Sequence, residues 1–378
     1  MQIIPIASGK GGVGKSLVSA NLAIALAQAG KRVVLVDLDL GASNLHLVLG
    51  HQAPKAGLGT FLTGSSSFEE IIVPTDYANL MFIPGDSEIP GVSSIKVAQK
   101  NMLIRKLQAS KCDFLLIDLG AGTHLSVLDF FLLSPQGILV SAPTVTAILD
   151  GYLFLKNAVF RLMYNSFKRN SKAYEYLEKL KEDATSMQRL YIPKLIDAIA
   201  EVDPENAELF KRRMKQFRPR LVLNMLDSPQ DAEKALKIRR SCKEYLGIEL
   251  EHLGVIYRDV LQDIALASRL PIIVYKPQSM LAQAIYRIAD KIKNSETLSF
   301  DQYVVTSSES FSNAEEDAVQ DFETKMTYIE DLIGTGTLTI GDVAEVIKSQ
   351  QYEITQLKKE NALLKQKLLK AHSQGFSI

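Results

Sequence analysis

Residues Gly9–Ser16 read GKGGVGKS, match the pattern G-x-x-x-x-G-K-[ST], and directly follow the apolar run Ile3–Ala7. These residue types suit a phosphate cradle. Gly11, Gly12 and Gly14 let the backbone curl until successive N–H groups face one point, and a following helix presents its positive N-terminus to the same anion. The run Gly9, Lys10, Gly11, Gly12, Val13, Gly14, Lys15 and Ser16 is therefore expected to line a nucleotide with Mg²⁺. Lys15 would reach the β/γ-phosphates and the Ser16 hydroxyl would hold the metal. A second constellation sits at two strand ends. VDLDLGASN carries Asp37, Asp39 and Asn44, and DFLLID ends at Asp118, with Gly120 and Gly122 just beyond. An aspartate closing a short apolar strand can orient Mg²⁺, which adds Asp37 and Asp118 to Ser16 as the expected metal set. Asp39 is placed to orient an attacking water, and the mobile glycines can sense a γ-phosphate. A lone strand-end aspartate is more often a cap. Following a phosphate loop, the set points to hydrolysis, with Asp39 and Lys15 as catalytic candidates.

These residues need elements to hold them. Leu17–Ala29 has helical apolar spacing and stops at Gly30. Arg32–Asp37, Leu80–Ile83, Phe114–Asp118, Gly137–Ala142, Arg220–Asn224 and Leu253–Ile256 are short apolar runs, most of them separated by helical stretches. Doubly buried strands alternating with helices predict an α/β fold, a mostly parallel sheet flanked by helices with ligands at the carboxyl ends of the strands. Pro5 inside the first strand conflicts with a central position.

The nucleotide domain is expected over 1–293, with a helical insertion at about 150–218 that serves either as packing helices or as a partner surface. A Ser- and acid-rich segment, SSESFSNAEEDAVQ, predicts a flexible linker over 294–323. The remainder, 324–378, is expected to be a helical tail. In it Ile340, Val343, Ile347, Gln350, Ile354, Leu357, Asn361, Leu364, Leu368 and Ala371 fall on alternating +3 and +4 steps, a coiled-coil stripe. Asn361 at an a position favours a two-stranded pairing. The alternative is a basic amphipathic helix lying on a membrane.

Composition excludes more than it selects. Lysine plus arginine and aspartate plus glutamate number 43 each among 378 residues, so no global field advertises nucleic acid or anionic membrane. Cys112 and Cys242 are isolated, which argues against a disulfide scaffold, a zinc site or a metal-cluster carrier. No signal peptide precedes the loop and no apolar run approaches a membrane span, so a cytoplasmic location is expected, with peripheral contact at a membrane or cell pole left open.

The doubled lysine of GKGGVGKS, the stretch Asp37–Asn44 and the DLGAG stretch from Asp118 resemble the MinD/ParA superfamily of deviant Walker A ATPases. Ser141–Lys156, IPGDSEIPG and GVIYRDVLQDIALAS are similar to its FlhG/FleN-like branch. The resemblance covers about residues 1–293. It implies an ATP-closed sandwich homodimer in which Lys10 reaches the partner's phosphates, Asn224 contacts the adenine edge and Asp39 serves hydrolysis. DLGAGTH departs from the branch's more usual Thr–Gly–Ala–Gly run, and the helical insertion is absent from plain MinD. The implied function is a spatial regulator of flagella, a division site or another polar cargo, acting with an unidentified protein partner. The alternative is a ParA-like partition ATPase binding DNA non-specifically through Lys211–Arg220 and Lys237–Lys243. A further alternative makes the coiled coil the working scaffold.

Overall fold

Short runs of β-branched and aliphatic residues between helices can bury both faces only in a parallel sheet, and the computed structural model shows one. It describes residues 1–39, 43–52, 55–85, 96–182, 191–259, 261–295 and 299–334, with 348, 351–352, 355–356 and 358–366 of the tail. Eight strands, β1 (Gln2–Ala7), β2 (Val33–Leu38), β3 (Val73–Pro74), β4 (Leu80–Ile83), β5 (Phe114–Leu119), β6 (Ile138–Ser141), β7 (Arg220–Leu226) and β8 (Glu251–Tyr257), lie in the order β3-β4-β2-β5-β1-β6-β7-β8. All pairings are parallel except β3 with β4.

The conflict at Pro5 resolves in the register. The Gln2 N–H donates to the Asp113 carbonyl, so the even-numbered residues of β1 turn their N–H groups toward β5 and Pro5 turns its nitrogen toward β6. Pairing with β6 starts only at Ile6. The missing donor therefore falls where no ladder bond is formed, and a central strand keeps its proline.

The longer helices are α1 (Lys15–Gln28), α2 (Val97–Gln108), α3 (Leu125–Phe131), α4 (Val145–Tyr164), α5 (Lys172–Glu182), α6 (Ile192–Val202), α7 (Pro204–Gln216), α8 (Lys234–Ser241), α9 (Met280–Lys293) and α10 (Phe300–Gly334). Between β6 and β7 the chain runs through α4–α7 with no strand among the described residues. These helices pack on one another: Tyr164 meets Tyr174 and Phe167 meets Phe210 edge-on, and Asp203 accepts from the backbone N–H of Asn206 and of Ala173. Helix α1 is unusual in being buried on nearly every side, from Val18 to Ala27. Its alanines, leucines and isoleucine read as an interior helix.

The segment expected as a flexible linker is instead the first half of α10, and the compact body runs to Val319, not to 293. The physical reason is the identity of the docked face. Tyr303, Ser307, Phe311, Ala314 and Ala318 are buried at steps of four, four, three and four. Only two of them are large apolar side chains, so the stripe looks polar in sequence. The Tyr303 hydroxyl donates to the Glu249 carbonyl, the His252 N–H to Ser310 Oγ at 2.9 Å, and the Tyr257 hydroxyl to the Ala318 carbonyl at 2.7 Å. The helix thereby runs along β8 and takes one of the N–H groups an edge strand leaves open. The next outward N–H, Gly254, donates to His252 Nδ1. The coiled-coil stripe lies outside the described residues except for Asn361 and Leu364, both helical and exposed.

His252 is fully buried, neutral, and packed edge-on against Phe311; burial, with Lys291 nearby, holds its pKa down at about 3. The unfolded chain takes up this proton below about pH 6.5 and the folded chain does not. The stability the neutral ring supports is thus present above pH 6.5 and is lost as pH falls toward 3. At pH 4.5 the loss should be about 3 kcal/mol. Denaturant midpoints at pH 7 and 4.5 should show a smaller acid sensitivity in His252→Gln than in the parent chain; equal sensitivities would rule the residue out.

Candidate nucleotide site

The loop 9–14 joins the end of β1 to the start of α1, at the carboxyl end of the central strand. Gly12 and Gly14 both take φ of 80°, the left-handed region that other residues enter only with strain. Gly14 is the N-cap of α1. A Cβ there would also overlap the side-chain amide of Asn224, which reaches across from β7 and donates from Nδ2 to the Val13 carbonyl at 2.9 Å. Gly9 is pressed against the backbone of Asp150 in α4 in the same way. Gly14→Ala should therefore distort the loop from two directions and weaken nucleotide binding by at least about tenfold, roughly 1.4 kcal/mol. Calorimetric titration with ATP checks this, and unchanged affinity would show that the turn is not the cradle.

Lys15, Ser16 and Asp118 converge. Lys15 Nζ lies 2.9 Å from Asp118 Oδ2 and 3.1 Å from Ser16 Oγ, and Ser16 Oγ donates to Asp118 Oδ2 at 2.7 Å. Asp118 is held from its other oxygen by Ser19 Oγ at 2.6 Å, one turn into α1. The strand register sets Asp37 of β2 directly beside Asp118 of β5. Burial, and then the charge of Asp118, push the Asp37 carboxyl up to about 7. Its oxygens accept from Ser43 Oγ at 2.7 Å, from the Asp39 N–H at 3.0 Å and from the Leu45 N–H at 3.3 Å. Asp39 stands against the turn after β5: a Cβ on Gly120 would be 3.5 Å from Asp39 Oδ1. Gly122 donates its N–H to the Ser8 carbonyl, which ties that turn to the start of the phosphate loop.

Two expected residues stand apart from this cluster. Lys10 is exposed and donates to Thr146 Oγ1 at 3.1 Å, at the N-terminus of α4. Asn44 begins the short helix Leu45–Val48 with no side-chain cap bond. Ser19 and Ser43, which orient the two carboxylates, were not singled out from sequence. Ser19 follows Ser16 by three, so one helix face carries both. Ser43 lies within VDLDLGASN but matches no pattern by itself.

The donor set suits a magnesium nucleotide. A hydroxyl and a carboxylate share one point beside a buried ammonium, and Ser8 Oγ is buried without a partner at the edge of the loop. A cavity of about 820 Å³ at the opposite, amino end of β1, lined by Met1, Leu133, Gln136, Arg213 and Arg218, has no such convergence. Geometry and chemistry both favour the shallow cradle.

A model of the CobQ/CobB/MinD/ParA nucleotide binding domain matches residues 4–272. The chain is 25% identical over 295 residues to the antiactivator FleN of Pseudomonas aeruginosa, covering 77% of this chain and 86% of that protein. It is 32% identical over 226 residues to the flagellum site-determining protein YlxH of Helicobacter pylori, covering 57% and 73% respectively. Among solved structures, the septum site-determining protein MinD complexed with Mg-ADP from Pyrococcus horikoshii superposes with a TM-score of 0.54 at 26% identity, over 78% of this chain and 96% of that one.

Proposed function

This chain belongs to the CobQ/CobB/MinD/ParA nucleotide-binding family, and on that premise we propose that it is an ATP-driven switch that sets the position or number of a cellular assembly, flagella foremost. The flagellum site-determining relative YlxH supports the cargo, and the MinD–Mg-ADP structure supports the ligand. In this reading Gly9–Ser16 holds the phosphates, Lys15 faces the β/γ-phosphates, and Ser16, Asp118 and Asp37 serve the metal. Magnesium held there supplies charge neutralisation on the phosphates. Asp39 orients the attacking water, and Asn224, which is bonded to the loop at Val13, would meet the base. Hydrolysis is slow until a partner protein engages.

The observation that carries the switch is on the surface beside the loop. Val145, Leu149 and Leu153 are 83%, 54% and 38% exposed at i, i+4 and i+8 of α4, next to Lys10 and its partner Thr146. Leu125, at the start of the helix that follows the switch glycines, is 64% exposed. An apolar stripe flanking a lysine at a phosphate site fits a face that a second copy covers once nucleotide is bound. Lys10 would then act across the interface. Lys10→Ala and Leu149→Glu should each leave ATP binding within about threefold while abolishing ATP-dependent dimerisation and turnover. Sedimentation with and without ATP is the measurement; a Leu149→Glu protein that still dimerises sinks the interface.

A further inference from the structure

Where the amino ends of β7 and β8 meet α9 and the docked half of α10, the chain forms a polar cavity of about 520 Å³. Small-ligand sites commonly have volumes of about 300–1,000 Å³. The cavity is set apart from the phosphate loop. Arg220, which lines it, opens β7, whereas Asn224, which meets the loop, lies four residues further along, roughly 13 Å at 3.3 Å per residue.

Two buried donors in its lining are left open. Arg220 and His252 are 1% and 2% exposed. Arg220 Nε donates to Glu251 Oε2 at 2.8 Å, but Nη1 has no hydrogen-bond partner among the described residues. His252 Nδ1 accepts from the Gly254 N–H at 3.1 Å, so the neutral ring carries its proton on Nε2, and that atom is buried without a partner too. A donor buried in this way has given up its hydration for nothing. The nearby hydroxyl cannot answer either of them. Ser310 Oγ already accepts from the His252 N–H and donates to the Ser307 carbonyl at 2.7 Å. An occupant that satisfies this lining must bring acceptor oxygens.

The charge of the lining narrows the class. Arg218, Arg220 and Lys291 are matched by Glu251, Asp290 and Glu309, and Lys291 and Asp290 are paired in turn with Asp317 and Lys293. A balanced lining supplies no field to gather a polyanion or a doubly charged phosphate. A carboxylate offers two acceptor oxygens on a single charge, and a guanidinium N–H is a strong donor to it. We propose that this cavity binds a small organic carboxylate, whose oxygens accept from Arg220 Nη1 and His252 Nε2 and which thereby ties α10 to the edge of the sheet. The walls supplied by α9 and α10 lie beyond the matched residues 4–272, and the proposal does not draw on the ATP-switch reading.

The test follows hydrogen exchange of residues 303–318 in the full-length protein. Acetate, lactate and benzoate are the carboxylate probes, inorganic phosphate is the rival oxyanion, and sodium chloride matches the ionic strength. At least one carboxylate should half-saturate at or below about 10 mM and, at ten times that concentration, slow exchange of these amides about tenfold. Arg220→Lys keeps a charge beside Glu251 but loses Nη1, and Thr306→Trp fills the mouth from an exposed position of α10. Each should weaken the carboxylate effect by at least about tenfold. The tryptophan variant leaves the buried floor intact, so it decides the matter if Arg220→Lys does not fold. Slowing no greater than chloride produces would mean that water alone meets the two donors, and would overturn the proposal. Slowing by phosphate in place of the carboxylates would overturn the ligand class. A carboxylate effect that persists in Thr306→Trp would place the probe elsewhere and overturn the site.

Discussion

Lys15→Ala is expected to lose ATP binding by at least about a hundredfold, near 3 kcal/mol, and to destabilise the protein that remains. The first effect follows from the charge that faces the phosphates. The second follows from the pair the lysine makes without them. Lys15 and Asp118 are 7% and 1% exposed and 2.9 Å apart, and Asp118 lies beside Asp37 in the register of β2 and β5. Removing the ammonium leaves two neighbouring buried carboxyls with only hydroxyl and amide donors. Breaking a buried pair from one side costs about 3 kcal/mol. Asp37 should then hold its proton to higher pH still, and the variant should regain stability as pH is lowered toward 5. ATP titration and urea melts at pH 5 and 8 read both. Unchanged affinity would remove the site assignment. Lost affinity with undiminished stability would show that the ion pair is incidental to the fold.

Asp39→Ala should have the opposite signature: ATP affinity within about threefold of the parent and turnover lower by about a hundredfold or more. Asp39 makes no side-chain bond to the loop. Its N–H steadies Asp37, and its carboxylate stands at the turn after β5, near Gly120. The backbone bond survives the substitution, so the cradle should too. Phosphate release in a single turnover is the direct measurement. A normal rate would move the hydrolytic role to another residue of the carboxyl-end loops.

The strands and the loop were legible because each needs few residue types in fixed order: an apolar run, then glycines, then Lys–Ser, or an apolar run closed by aspartate. What was illegible needed a partner from far along the chain. Asn224 could be placed at the end of β7, but not bonded to Val13 until the fold brought them together. Helix α10 was hidden because its docked face is Ser307, Ala314 and Ala318 with only two aromatics, Tyr303 and Phe311, a composition that also describes a linker. Its seat is made by Arg218, Arg239 and His252, which are remote in sequence and individually read as surface or core. Pro5 misled in the other direction, since strand propensity ignores which side of a strand is paired at its first residues.

The burial of α1 has a mechanical consequence. Asn21, in its second turn, is fully buried and accepts from the Ile273 N–H, and Leu22, Ile24 and Leu26 have no solvent exposure. A rod gripped on all sides cannot slide or tilt without opening voids in a close-packed interior. Lys15 and Ser16 are therefore fixed points, like the anvil of a press. The moving parts must be pieces around them, the turn that follows β5 among them, and it is the stiffness of such pieces that would set the tempo of any cycle. Volume lost in the core of α1, several turns from any phosphate, would be felt first as a loss of precision at the lysine.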